Sequence, residues 1–322
     1  MQVGLIVGCV VAGVALVFAI LQIVSHAKYH RSLMASVCEV FLRTVNIKRS
    51  DDWVRRDIPN LAIRNKKKVE KIKRKTRAEV VDFEGMDILI FGKQQGDVAI
   101  VYLHGAGYVR PPRLRHLMFA ERLAKKSNLP VFFVLYPKAP TTNCKQACPL
   151  MINFVQCVQQ KFEHVVLAGD SSGGGLAVGL CLHLKDMGKK QPEQLILFSP
   201  WVDVALENPE LEHYQKLDPF ISVSNEKIWG KLWAGDLDVC DPKVSPSFGN
   251  LEGLPPTTLY VGTREIMYPD NILFFEKLQK ARVLCSLHVG EGMNHVYAIY
   301  PIPEARKVLK EVVQTIQTKN NP

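Results

Sequence analysis

In Gly169-Asp170-Ser171-Ser172-Gly173-Gly174-Gly175 a serine stands among small residues, as a hydroxyl aimed out of a sharp turn requires. Alone, Gly-x-Ser-x-Gly is a weak signal, because small residues cluster in many turns. Its context is more specific. An apolar run, His164–Ala168, precedes it and a helical apolar run, Leu176–Leu184, follows. That is the strand–turn–helix setting of a nucleophile elbow, which projects the serine Oγ above a sheet. Gly169 and Gly173 fit because the turn is too sharp, and the helix too near the strand, for side chains there. The start of the helix also directs its positive dipole end at the hydroxyl. A glycine-rich phosphate loop is the competing reading, and no Gly-Lys-Ser/Thr follows to support it.

A second motif points the same way. His104-Gly105-Ala106-Gly107-Tyr108 comes directly after the apolar run Val98–Leu103. Backbone N–H groups of Ala106 and Gly107, with that of Ser172, are placed to converge on a developing negative oxygen. Such donors contribute about 3 kcal/mol apiece to a rate.

A serine nucleophile needs a base, and the base needs an orienting acid. Downstream of an elbow of this kind the acid comes first and the histidine second. Of nine histidines, His26, His30, His104, His116 and His164 precede Ser171. His183 falls in the helix after the elbow, His213 in a later insertion and His288 within the last strand. His295 alone sits in a loop just past that strand, and it is the expected base. Two acids follow the preceding strand, Leu259–Val261. Glu265 is in the loop; Asp270 follows Pro269 in the first turn of the next helix, where a carboxylate commonly serves the dipole. Glu265 is the expected acid and Asp270 the alternative. No metal or organic cofactor is implied by this set.

These groups must be held by a sheet. Apolar runs at Val80–Phe83, Ile88–Phe91, Val98–Leu103, Val131–Tyr136, Val165–Ala168, Leu195–Phe198, Leu259–Val261 and Cys285–Val289 read as eight strands. Leu117–Lys125, Met151–Val158, Leu176–Leu184 and Ile272–Ala281 read as helices between them. The alternation predicts an α/β fold with a mostly parallel sheet, helices on both faces, and an antiparallel hairpin from the first two runs at one edge. Residues 204–250 break the rhythm with Pro209, Pro219, Pro242, Pro246, Trp229 and Trp233. They read as a helical lid insertion, to which residues 30–78 add a part.

The chain has 322 residues, 47% of them hydrophobic, enough for one large domain at residues 79–322. Val3–Val24 carries no charge. Its 22 residues, at about 1.5 Å of rise each, match the thickness of a bilayer's hydrocarbon core. Residues 1–27 are therefore expected to form a single-pass anchor; a cleaved signal is the alternative, with Ser25-His26-Ala27 as its site. Lys28, Arg31 and Arg43 follow the span and nothing basic but the amino terminus precedes it, which favours a cytosolic catalytic domain. No Asn-x-Ser/Thr sequon is present. Eight cysteines, one of them in the span and none in CxxC spacing, indicate neither a disulfide framework nor a zinc site.

The net charge of +10 is concentrated in the juxtamembrane segment 28–78. From Arg64 to Arg77 nine basic residues face one acid, Glu70. With no nucleic-acid-binding motif beside it, the run is read as a contact with anionic headgroups or as a solvated helix face. The expected partners are thus the bilayer and a hydrophobic ester, not nucleic acid; the sequence carries no signal for an oligomeric state.

Taken in order, His104–Gly107, Tyr136-Pro137-Lys138-Ala139-Pro140, Gly169–Gly174, Ser199-Pro200-Trp201-Val202-Asp203, Asp218-Pro219 and Gly262-Thr263-Arg264-Glu265 resemble the hormone-sensitive-lipase group of α/β-hydrolases. The resemblance covers about residues 80–310. It implies an α/β-hydrolase fold, Ser171 as nucleophile, an acid at Glu265, His295 as base, and hydrolysis of carboxylic esters of small-to-medium hydrophobic substrates through an acyl-enzyme. An amide deacetylase using the same triad and a non-catalytic receptor on the same scaffold are the alternatives. The layout is similar to membrane-anchored members such as arylacetamide deacetylase and steryl acetyl hydrolase, which sets the expected location at the endoplasmic reticulum membrane. Those relatives face the lumen, whereas the flanking charges here favour the cytosol. Ala106 departs from the middle one of the usual three glycines of the oxyanion loop, Ser172 from the usual alanine of the elbow, and Glu265 from aspartate. If the basic run meets lipid, raising salt should release the anchor-deleted protein from anionic vesicles in a flotation assay; absent or salt-independent binding would remove that reading.

Overall fold

The computed structural model describes residues 2–45 and 48–319. Its strands are β1 (Glu79–Phe83), β2 (Met86–Phe91), β3 (Val98–Leu103), β4 (Val131–Val134), β5 (His164–Asp170), β6 (Gln194–Phe198), β7 (Thr257–Arg264) and β8 (Cys285–Asn294). Its helices are α1 (Gln2–Tyr29), α2 (Leu33–Thr44), α3 (Asp51–Lys75), α4 (Leu114–Ser127), α5 (Cys144–Lys161), α6 (Ser172–Asp186), α7 (Leu211–Leu217), α8 (Val223–Ala234), α9 (Tyr268–Lys280) and α10 (Pro303–Lys319).

The eight strands form one sheet in the order β1-β2-β4-β3-β5-β6-β7-β8. β1 and β2 pair antiparallel at one edge, β2 joins β4 antiparallel, and every later pairing is parallel. Central strands are apolar on both faces because both faces are covered. In β3, Ala99, Val101 and Leu103 enter the core shared with α5, α6, α8 and α9. Ile100 and Tyr102 enter the core shared with α2, α4 and α10. The fold is thus an α/β-hydrolase sheet with helices on both sides.

The last strand is longer than its hydrophobic pattern indicates. The sequence reading ends it at Val289, but β8 continues to Asn294 and pairs Arg264 with Asn294 beyond a bulge at Gly262–Arg264. Gly262 allows this: a Cβ there would lie 2.3 Å from Met293 O. The segment Gly290–Asn294 is glycine-rich and polar, so its extended shape leaves no alternating apolar signature. His295 and Glu265 therefore follow directly on the ends of two paired strands.

Helix α1 contains one stretch, Ala12–Tyr29, long and apolar enough to cross a membrane. Its carboxyl end is not a loose tether. Arg31 donates to Gly292 O at 2.8 Å and pairs with Glu39, both side chains being buried. Glu39 also takes Arg264 at 2.9 Å and Arg43 at 2.8 Å. Ser32, which caps α2, binds Glu304 of α10 through both its backbone N–H and its hydroxyl, at 2.6 and 2.9 Å. Burial alone would raise the Glu39 carboxyl. Hydrogen bonds from Arg264, Arg31 and Arg43 more than offset that and lower it to about 2.

The folded-state pKa is depressed, so the stabilisation by Glu39 is complete above its ordinary 4.5 and lost as pH falls toward about 2. Glu39→Ala strands the buried Arg31 charge. It should lower unfolding stability at pH 7 by about 3–5 kcal/mol in denaturant titration, while Arg43→Ala, on an exposed side chain, should cost under about 1 kcal/mol.

Candidate active site

Ser171 joins β5 to α6 with φ 52° and ψ −124°, a conformation that L side chains rarely occupy. Packing on both sides enforces it. A Cβ on Gly169 would lie 2.5 Å from Gly173 O, and one on Gly173 would lie 2.1 Å from Leu103 O. Neighbouring bonds fix the turn: Ser171 N–H donates to Phe198 O at 2.9 Å, and Trp201 N–H donates to Ser171 O at 2.8 Å. The Ser171 Oγ makes no hydrogen bond among the described residues and lines a small cavity with His295, Gly107 and Ala106.

His295 and Glu265 meet directly. The ring Nδ1 of His295 bonds the Oε2 of Glu265, and both residues are buried. The other oxygen, Oε1, accepts from Ser199 Oγ and from Gly262 N–H, each at 2.7 Å. Ser199 in turn accepts from Val296 N–H at 3.0 Å, so one serine ties the acid to the backbone beside His295. Burial lowers the imidazole pKa, but the charge and hydrogen bond of Glu265, with the charges of Asp218 and Glu226, leave it raised above its ordinary 6.5. Asp270 lies elsewhere. It sits in the first turn of α9 and accepts from Asn208 at 2.8 Å, and burial raises it to about 6.

The oxyanion loop differs from the sequence expectation in one respect. Ala106 N–H donates to the Ser172 hydroxyl at 3.2 Å, and Tyr108 N–H to the same oxygen at 3.3 Å. Ser172, read from sequence only as a backbone donor, thus uses its side chain to pin the loop. The N–H groups of Gly107 and Ser172 donate to no described residue and remain free for an oxyanion. Ala106 holds φ 141°, a strained value that the usual glycine would carry without cost.

The motif-supporting residues form the floor. Asp170 accepts from Tyr102 OH at 2.7 Å and pairs with His116 at 3.2 Å. Gly105 packs over it, since a Cβ there would fall 2.4 Å from Asp170 Oδ2. His104 stacks on Tyr136 and Phe133, and burial holds its pKa well below the ordinary imidazole value. The roof comes from residues 204–250. Asp218 is buried and accepts from Phe220 and Ile221 N–H at 2.8 Å and from Ile266 N–H at 3.1 Å. It ties the insertion to the residue after Glu265. Phe220, Ile221 and Glu226 then line the cavity over Ser171, with the Phe220 ring 5.8 Å from that of His295. Sequence reasoning passed over Ser199 and the Ser172 hydroxyl, although both lie inside motifs it used.

Known proteins are similar to this chain in sequence and fold. A model of the alpha/beta hydrolase fold family matches residues 100–299. An esterase of Acinetobacter venetianus is 31% identical over 221 residues, 67% of this chain and 73% of that protein. An acetyl-hydrolase of Streptomyces hygroscopicus is 25% identical over 222 residues, 67% of this chain and 74% of that protein. The crystal structure of a hormone-sensitive lipase from a metagenome library superposes with a TM-score of 0.72 and 26% identity, over 82% of this chain and 98% of that one.

The two acids separate by substitution. On an aryl ester, Glu265→Gln should lower kcat by about 10⁴-fold, since the wrong tautomer of His295 is then favoured. Asp270→Asn should leave kcat within about threefold. Ser199→Ala removes one hydrogen bond to a charged group and should cost about 10- to 100-fold.

Proposed function

The chain belongs to the α/β-hydrolase fold family, in its hormone-sensitive-lipase type, and is a carboxylic ester hydrolase; we propose that Ser171, His295 and Glu265 are its catalytic triad. His295 takes the Ser171 proton as Oγ attacks the ester carbonyl. The negative oxygen then receives the N–H groups of Gly107 and Ser172, with Ala106 N–H joining where the Ser172 hydroxyl releases it. Collapse expels the alcohol, protonated by His295, and leaves an acyl-serine. Water, deprotonated by the same imidazole, releases the acid.

One observation carries the assignment: Glu265 holds Nδ1 of His295, so that Nε2 is the nitrogen left for the cavity that Ser171 lines. That cavity is about 50 Å³ as it stands. Short acyl groups fit this volume best, and longer chains require residues 204–250 to move as a lid. Helix α1 serves as an uncleaved anchor in this reading, supported by its length and by the docking of Arg31 and Ser32 on the domain it leads into. Flanking charge keeps the domain on the cytosolic side, at the endoplasmic reticulum membrane by resemblance to anchored esterases.

A fluorophosphonate probe should label the wild-type protein and not Ser171→Ala; equal labelling of the two would sink the assignment. Because neutral His295 is the base, kcat/KM should rise with pH through an acid limb above 6.5. In Glu265→Gln burial acts without its largest counterweight, so any residual limb should move to lower pH than in the wild type.

A further inference from the structure

Three arginines, Arg110, Arg113 and Arg115, line the cavity that holds Ser171 and His295. Each is partly withdrawn from solvent, and none makes a side-chain hydrogen bond or ion pair among the described residues. Buried guanidinium groups are ordinarily paired. Here the Nε of Arg115 is buried without a partner. What these groups touch instead is aromatic. Arg110 lies 4.9 Å over Trp229; Arg115 lies 4.9 Å over Tyr300 and 5.6 Å over Phe220. Arg113 lies 6.0 Å over that same Phe220, whose other neighbour is the His295 ring. Cation–π contact fixes the planes of the three charges without neutralising them.

The charge continues outward. Arg110 and Arg113 also line an adjoining cavity of about 230 Å³ with Arg49, Arg64 and Lys68. Asp57 is the one carboxylate there, and it is taken by Arg64. Lys68 registers the crowding: burial first, then the charges of Arg64, Arg110 and Arg113, push its pKa down. In the inner cavity Asp170 is spent on Tyr102 and His116. Glu226 is the remaining acid, and burial raises it to about 7 against the pull of Arg110, so it only partly offsets three arginines.

Resting on the esterase reading above, we propose that the preferred substrate is an ester bearing an anionic group, a carboxylate or a phosphate, received by Arg110 and Arg113, the second of which lies one aromatic ring away from His295. A guanidinium presents a planar fork of donors that matches both anions, and such a contact is strong where water is excluded. The outer cavity supplies the positive field that draws the anion in.

The test uses the full-length protein in neutral detergent, with two matched substrate pairs. One pair is 4-nitrophenyl hydrogen glutarate and its methyl-capped neutral analogue; the other is 1-oleoylglycerol 3-phosphate and 1-oleoylglycerol. At low ionic strength the anionic member of at least one pair should show a kcat/KM at least tenfold higher, and the pair that does so identifies the anion. Arg110→Gln with Arg113→Gln should reduce that ratio at least tenfold. The corresponding lysine variants should keep only the part of it that charge supplies and lose the part that needs the guanidinium fork. In the wild type, 0.5 M NaCl should compress the ratio, a readout independent of how any variant folds. Equal or faster turnover of both neutral members, or a ratio that ignores both salt and substitution, would overturn the anion site while leaving the esterase reading intact. No turnover of any of the four, with no fluorophosphonate labelling, would overturn the esterase reading itself.

Discussion

Helix α6 starts so close to the ends of β3 and β5 that nothing larger than hydrogen fits at Gly169 or Gly173, and most of the site depends on that approach. It holds Ser171 at positive φ with its hydroxyl free, and it brings the Ser172 hydroxyl within reach of two N–H groups of the loop after β3. Elbow and oxyanion loop are therefore one packed unit. Strain at Ser171 and Ala106 persists because the surrounding backbone leaves no room to relax it.

A second unit is organised around a buried carboxylate. Glu265 is fully buried and satisfies its charge with Ser199, Gly262 and His295. Asp218, also fully buried, accepts three backbone N–H groups next door and holds the cavity roof to the same loop. The segment after α1 reaches this region too, because Arg264, adjacent to Glu265, shares Glu39 with Arg31. Helix α2, the loop of Glu265 and the roof are thus linked by carboxylates, each of which would be costly to bury alone.

Much of this was legible in the residue order. The elbow, the loop at His104–Gly107 and the eight apolar runs are local patterns, and the run edges fell within a few residues of the strands except at β7 and β8. Those two strands extend through Gly262–Arg264 and Gly290–Asn294, where close backbone approach replaces side-chain alternation. Which of Glu265 and Asp270 lies against His295 needed three dimensions, because both follow the same strand and only the register with β8 brings Glu265 to that ring.

By itself the sequence determined what local chemistry can encode: a serine in a turn that only glycines permit, an ordered set of acid and base, alternating strands and helices, and an apolar amino-terminal stretch. Only the tertiary structure decided which groups share a carboxylate, that Ser172 pins the loop after β3 with its side chain, and that three arginines line the cavity of Ser171 with no ion pair among the described residues. The reason is physical. Periodicity and turn chemistry are properties of neighbours along the chain, whereas pairing and desolvation of charge depend on contacts between residues as far apart as Glu39 and Arg264, which no local pattern records.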